Sequence, residues 1–154
     1  MDSLISSLPN PELRPILNPK LKVTFTAEFA RQKDGVREPL LTTGRAVHGH
    51  LLYAEHQAGQ LRLISQSDDL AAVYSLPDPG ERPLEISVEY SPDSGAMTTK
   101  VDGRAVMIHP IESLVTAPAD VTSGEDRVLP DTTGARFSGR IRGLSKIIEP
   151  AQPR

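Results

Sequence analysis

The residues of this chain with chemistry to offer are few. His48 and His50 stand two apart, a spacing that sets both imidazoles on one side of an extended strand, about 7 Å from each other. His56 follows on the same stretch, and imidazole is the commonest transition-metal ligand. A zinc or copper site needs further donors. No spacing supplies them, so the competing reading is a solvated strand end. Glu85 and Glu89 share one face of a strand, but glycosidases need two carboxylates facing each other across a cleft. No acid-rich strand of the Glu-x-Asp-x-x-Glu kind occurs, which leaves an exposed or groove-lining sheet face as the reading for the pair. Ser123-Gly124 and Ser138-Gly139 lack the Gly-x-Ser-x-Gly elbow, and Ser91 has no placed histidine. Saccharides commonly stack on aromatic faces, yet the chain has no tryptophan, three tyrosines and three phenylalanines. Tyr74 and Tyr90 read as core. Tyr53, among Arg45, His48, His50 and Arg62, reads as the surface aromatic of a ligand-binding set.

These residues must be positioned by strands. Leu84, Ile86, Val88 and Tyr90 alternate with Glu85, Ser87 and Glu89, the period of a strand with one buried face. Ser91 to Gly95 is a run of turn formers, after which Met97, Thr99 and Val101 alternate with polar neighbours. Asp102-Gly103 then separates two alternating runs, the composition of a type I′ hairpin turn, and Arg104 to Ile108 returns. This three-stranded meander needs a second layer to cover its apolar face. Lys20 to Arg31 alternates with Leu21, Val23, Phe25, Ala27 and Phe29 on one face. Further strands are expected at Pro39–Ala46, Gly49–His56, Gln60–Ser65 and Leu70–Leu76, with Leu52 and Ala54 answering Leu61 and Leu63 across a turn at Gln57-Ala58-Gly59. Ala117 to Thr133 reads as a long loop with one strand around Asp120 to Ser123. Gly134 to Ile148 closes the core, with Gly139 and Gly143 read as points of close approach and a helical turn over Leu144, Ile147 and Ile148 as the competing reading.

Fourteen prolines and eleven glycines in 154 residues punctuate the chain too often for long helices. An all-β fold follows, a two-sheet antiparallel β-sandwich, with one domain at 20–149, a leader or linker at 1–19 and a tail at 150–154. The net charge of −3 argues against a nucleic-acid partner. The absence of cysteine removes disulfides, thiolate metal sites and a cysteine nucleophile. No apolar run approaches the roughly 18 residues of a membrane span, and the first residues lack the form of a signal peptide.

Phe25-Thr26-Ala27-Glu28-Phe29, Pro39-Leu40-Leu41-Thr42, the stretch from Gly49 to Leu63, Val101-Asp102-Gly103 and Phe137-Ser138-Gly139-Arg140-Ile141 follow one another in an order that resembles laminin-G-like, concanavalin-A-like jelly-roll domains of bacterial style. The Trp-His-His that usually opens the strand of Leu84 is replaced by Arg82-Pro83-Leu84, and the late cysteine pair of the eukaryotic branch is missing. The resemblance implies a non-catalytic module that binds glycan or another cell-surface ligand through rim loops or the concave sheet, on an extracellular or periplasmic face. The alternative is a structural interaction domain of a larger assembly or membrane-attached chain. It also makes calcium a possible cofactor at loop acids, with Asp68 and Asp69 the candidates among Asp78, Asp93, Glu125, Asp126 and Asp131; none forms an EF-hand loop.

Overall fold

The computed structural model describes residues 13–29, 32–44, 49–67, 70–124 and 136–150. Among the described residues, twelve strands form two five-stranded antiparallel sheets and a two-stranded ribbon. The first sheet has the order β11(Val121–Ser123), β3(Arg37–Thr43), β4(His50–Gln57), β5(Gln60–Ser67), β6(Leu70–Pro77). In the second, the order is β12(Arg140–Glu149), β2(Lys20–Glu28), β7(Leu84–Ser91), β8(Ala96–Val101), β9(Arg104–Pro110). β1(Ile16–Leu17) pairs with β10(Val115–Thr116), and a 3-10 turn covers Pro118–Asp120. Among the described residues there is no α-helix, and no helix is long and apolar enough to cross a membrane.

The alternation in β2 and β7 does what its period requires. Val23 stands opposite Val88 and Phe25 opposite Ile86, all turned into a single core shared with Leu41, Leu52, Leu61 and Leu63 of the other sheet. Phe29 and Phe137 meet edge to face at 5.4 Å between centroids, and Phe137 and Ile141 are partly buried against this core.

Two hairpins show how turn chemistry sets register. Asp102 and Gly103 both have positive φ, 51° and 84°, as a type I′ turn demands, and Val101 is paired with Arg104. The Asp102 carboxylate accepts the Glu85 amide at 3.0 Å and the Arg82 guanidinium at 3.0 Å. Those bonds, the backbone one foremost, hold its pKa below the usual carboxylate value. The β4–β5 turn is the pair Ala58-Gly59 alone, at φ 52° and 79°, with Gln57 opposite Gln60. Ala54 therefore faces Leu63 as expected, but Leu61 faces His56 and Leu52 faces Ser65.

At the C-terminal end the strand prevails over the helical turn, because β2 offers eight residues of partner ladder from Lys20 to Glu28. The two glycines there have different reasons. A Cβ on Gly139 would collide with the Glu28 carbonyl and the Phe137 ring, the close approach that was expected. Gly143 has open space around it and a φ of +69°. It lies in the bulge between Arg142 and Ser145, so conformation and not crowding selects it.

Candidate functional site

Parity along β4 decides where its side chains go. His50, Leu52, Ala54 and His56 point into the sandwich; Leu51, Tyr53 and Glu55 point to the other face of the sheet. His50 is fully buried, which overturns the solvated strand end expected for it. Tyr53 is also buried, 2% exposed, and packs with Leu51 and Ile64 beneath the Arg37 guanidinium at 5.2 Å. The expectation of a surface aromatic is thus corrected: Tyr53 offers no open ring to a sugar. Arg62 remains at the surface and reaches Glu55 at 3.0 Å. Arg45, His48, Asp68 and Asp69 lie outside the described residues, as do Glu125, Asp126 and Asp131. Among the described residues no group of three or more His, Cys, Asp or Glu comes together to hold a metal.

The inward face carries a polar cluster that links the two sheets. His50 Nε2 lies 2.7 Å from Ser65 Oγ, and Ser65 Oγ lies 2.9 Å from His109 Nδ1 of β9. One hydroxyl has one proton, so it donates to one imidazole and accepts from the other. The outer nitrogens, His50 Nδ1 and His109 Nε2, have no partner in the structure; in the neutral state one of them is a donor and the other an acceptor. Burial, and then the proximity of His109, lowers the His50 pKa to about 3; burial also lowers that of His109. A serine between two imidazoles has the outline of an activated nucleophile. Here Ser65 is sealed in the interior, and a base that titrates near pH 3 holds few protons at neutrality. The cluster ties sheet to sheet from a buried position. Its signal was present in the sequence: His50 is in phase with Leu52, and Ser65 with Leu61 and Leu63.

The outward face of the second sheet is the other candidate. Register aligns Ile147, Lys22, Glu89 and Thr98 in one row across β12, β2, β7 and β8. About 7 Å further along the strands, Glu149 stands opposite Lys20 and Ser91 opposite Ala96. Between these side chains and Ser94 of the β7–β8 turn lies an open groove of about 360 Å³, within the range of small-molecule sites. Lys100 holds Glu89 at 2.9 Å, whereas no ion pair engages Lys20, Lys22 or Glu149 among the described residues. Further hydroxyls, Thr24, Thr26 and Ser87, continue this face, and Ile147 adds an exposed apolar wall. Glu85 and Glu89 are four residues apart on β7, about 13 Å along the backbone, wider than the roughly 5 to 9.5 Å of glycosidase carboxylate pairs.

No protein-family model matches this chain, and neither does any curated protein sequence. Solved structures do. The chain is similar to the Ruminococcus gnavus IT-sialidase CBM40 bound to alpha2,6 sialyllactose, with a TM-score of 0.55 and 14% identity over 87% of this chain and 77% of that one. It is similar to the leech intramolecular trans-sialidase, at a TM-score of 0.55 and 12% identity, over 86% of this chain and 21% of that chain. Domains LG4-5 of the mouse laminin alpha1 chain match with a TM-score of 0.51 and 16% identity, over 84% of this chain and 36% of that one. The fold is therefore the concanavalin-A-like jelly-roll sandwich that the order of motifs implied.

Proposed function

We propose that this domain is a non-catalytic binding module that holds a glycan on the outward face of the β12–β2–β7–β8 strands. The observation that carries the reading is the groove itself: unpaired Lys20 and Lys22, the Glu89 carboxylate and the hydroxyls of Ser91 and Thr98 converge on about 360 Å³ beside exposed Ile147. Hydroxyl-rich ligands need both donors and acceptors at close spacing, and an apolar wall meets the C–H face of a sugar ring. A groove without a large aromatic points to recognition by hydrogen bonds and charge. Two of the similar structures are a CBM40 bound to sialyllactose and an intramolecular trans-sialidase, which supports a glycan as the ligand class. The sealing of Ser65 and the wide spacing of Glu85 and Glu89 support binding without turnover.

Glycan-array profiling followed by calorimetry on the retained sugars tests this. Lys22→Ala is expected to weaken binding at least about tenfold, a loss of about 1.4 kcal/mol, with an unchanged melting temperature. Arg62→Ala, on the other sheet, is expected to leave binding intact. If Arg62→Ala abolishes binding and Lys22→Ala does not, the ligand sits at Arg62 on the first sheet. If no glycan is retained, the reading fails.

A further inference from the structure

The β8–β9 hairpin brings two thioethers and an imidazole to one part of the interior. Met97 of β8 stands directly opposite His109 of β9, and Thr99 stands opposite Met107. Met97, Met107 and His109 are all buried on the inward side of the hairpin. Opposite residues of an antiparallel pair have Cα atoms about 4.5 to 5.5 Å apart. Met107 and His109 are two residues apart on one strand, about 7 Å, and Met97 and Met107 form the diagonal, about 7 to 8 Å. The register shift of the hairpin falls beyond Thr99, so this triangle stands on regular ladder. Met97 is 0% exposed, His109 3% and Met107 6%, and β9 is the outer strand of its sheet. The triangle therefore lies beneath an edge.

The imidazole in it is already oriented. Ser65 Oγ lies 2.9 Å from His109 Nδ1 and 2.7 Å from His50 Nε2. In the tautomer where His109 Nδ1–H donates to Ser65 and the Ser65 hydroxyl donates to His50, His109 Nε2 keeps a bare lone pair. That nitrogen is buried and has no hydrogen-bond partner. Ligating histidines are characteristically fixed in this way, through the nitrogen that does not bind the metal. The chain has three methionines and two of them stand here, in a core whose other large apolar members are Leu, Ile, Val, Phe and Tyr. Thioethers are soft donors, which select copper(I) over the oxygen-seeking calcium, magnesium and manganese.

We propose that Met97, Met107 and His109 form a three-coordinate site for a soft monovalent cation, copper(I) by its chemistry. None of the three ligands carries a charge in this state, so a monovalent ion brings one charge into the interior where a divalent ion brings two. The site faces the core, whereas the groove of Lys22 and Glu89 is on the outward face of the same sheet. The two are therefore independent, and glycan binding does not report on the metal.

Silver(I), an air-stable ion of the same charge and preference, and copper(I) under competition with bicinchoninate are the probes. The chain has no cysteine, so no thiolate competes for either ion. Silver(I) is expected to move the methyl signals of Met97 and Met107 and the ring nitrogen signals of His109 together and to leave Met1 in place. It is also expected to raise the melting temperature, as a ligand that binds only the folded state does. Zinc(II) at the same concentration should leave the methyl signals where they are. The double change Met97→Leu, Met107→Leu conserves volume and apolar character, so circular dichroism and metal-free melting should stay close to those of the wild type. Losing a residue that merely supports a metal ligand costs about 10- to 100-fold in affinity, so losing two ligands should weaken silver(I) and copper(I) binding at least about 100-fold. Binding that survives the double change overturns the proposal. So does a zinc(II) shift of the same methyl signals, or no shift of those signals with silver(I) in excess.

Discussion

His50 and His56 sit on one face of one strand, six residues apart, and both are buried, yet they live in different chemistry. His56 lies at the end of the sandwich closed by the Ala58-Gly59 and Asp102-Gly103 turns. Its ring meets Phe29 edge-on at 6.2 Å, and its Nε2 is 3.2 Å from the Asp78 carboxylate, which is 42% exposed. Asp78 is in turn fixed by the Gly80 amide, the first cause of its lowered pKa. At the other end, His50 has a hydroxyl and, beyond it, a second imidazole. His56 has beside it a carboxylate with access to water; a proton on His50 would find neither counter-charge nor solvent. The same residue type at the same parity thus sits beside a carboxylate at one end of the core and is held neutral at the other. The difference comes from what the opposing loops and sheet bring to it.

That contrast breaks at several points, taken here from the largest effect down. Phe29→Ala removes the ring that meets both His56 and Phe137 and leaves a cavity at the apolar end. A loss of about 3 to 5 kcal/mol is expected in denaturant melts. A loss under about 1 kcal/mol would mean that the ring is not part of the packed core. At the polar end, Ser65→Ala strands two buried imidazole nitrogens and is expected to cost about 1 to 3 kcal/mol. The triple change His50→Leu, Ser65→Ala, His109→Leu should cost less than the sum of its parts, since removing partners together leaves nothing unsatisfied.

Acid sharpens the same point. The unfolded chain takes protons on histidine below its ordinary pKa of 6.5, whereas folded His50 does so only near 3. Stability from this group is therefore complete above pH 6.5 and is lost as pH falls toward 3, at about 1.4 kcal/mol per pH unit for one site. Denaturant melts at stepped pH should show the slope in the wild type and a reduced slope in His50→Leu; equal slopes would mean that His50 is not held neutral.

Smaller effects come from the turns. Gly103→Val places a β-branched residue at φ 84°, and a cost of about 1 to 2 kcal/mol, or several degrees in melting temperature, is expected. Gly95→Ala, at φ 64° and with the Ile111 carbonyl 4.0 Å from the added carbon, adds no branch and should cost less. Smallest of all is Asp78→Asn. It leaves a hydrogen-bond acceptor beside His56 and removes only the charge of a well-exposed carboxylate, so a change below about 1 kcal/mol is expected in the same melts.

Much of this architecture was legible in the residues because period two and turn chemistry are local. The alternation in Lys20 to Phe29 and Leu84 to Tyr90 places their apolar sides without knowledge of the partner strands, and Asp102-Gly103 needs only its own backbone preference to reverse the chain. The same parity, carried one step further, points His50 inward. What parity leaves open is the environment on each side of a sheet. Tyr53 is on the outward face by count of residues and buried there by packing, which no alternation along β4 reveals.

The site divides in the same way. The sequence by itself determined that Lys22 and Glu89 face outward, that His50 is in phase with Leu52 and Ser65 with Leu63, and that the chain makes short strands in place of long helices. Only the tertiary structure decided that Ile147, Lys22, Glu89 and Thr98 fall in one row, because that row is assembled from four strands whose order in the chain is 2, 7, 8 and 12. It also decided that β6 forms one edge of its sheet. Register between distant strands and the identity of an edge depend on the whole set of pairings, and neither is a property of any single stretch of residues.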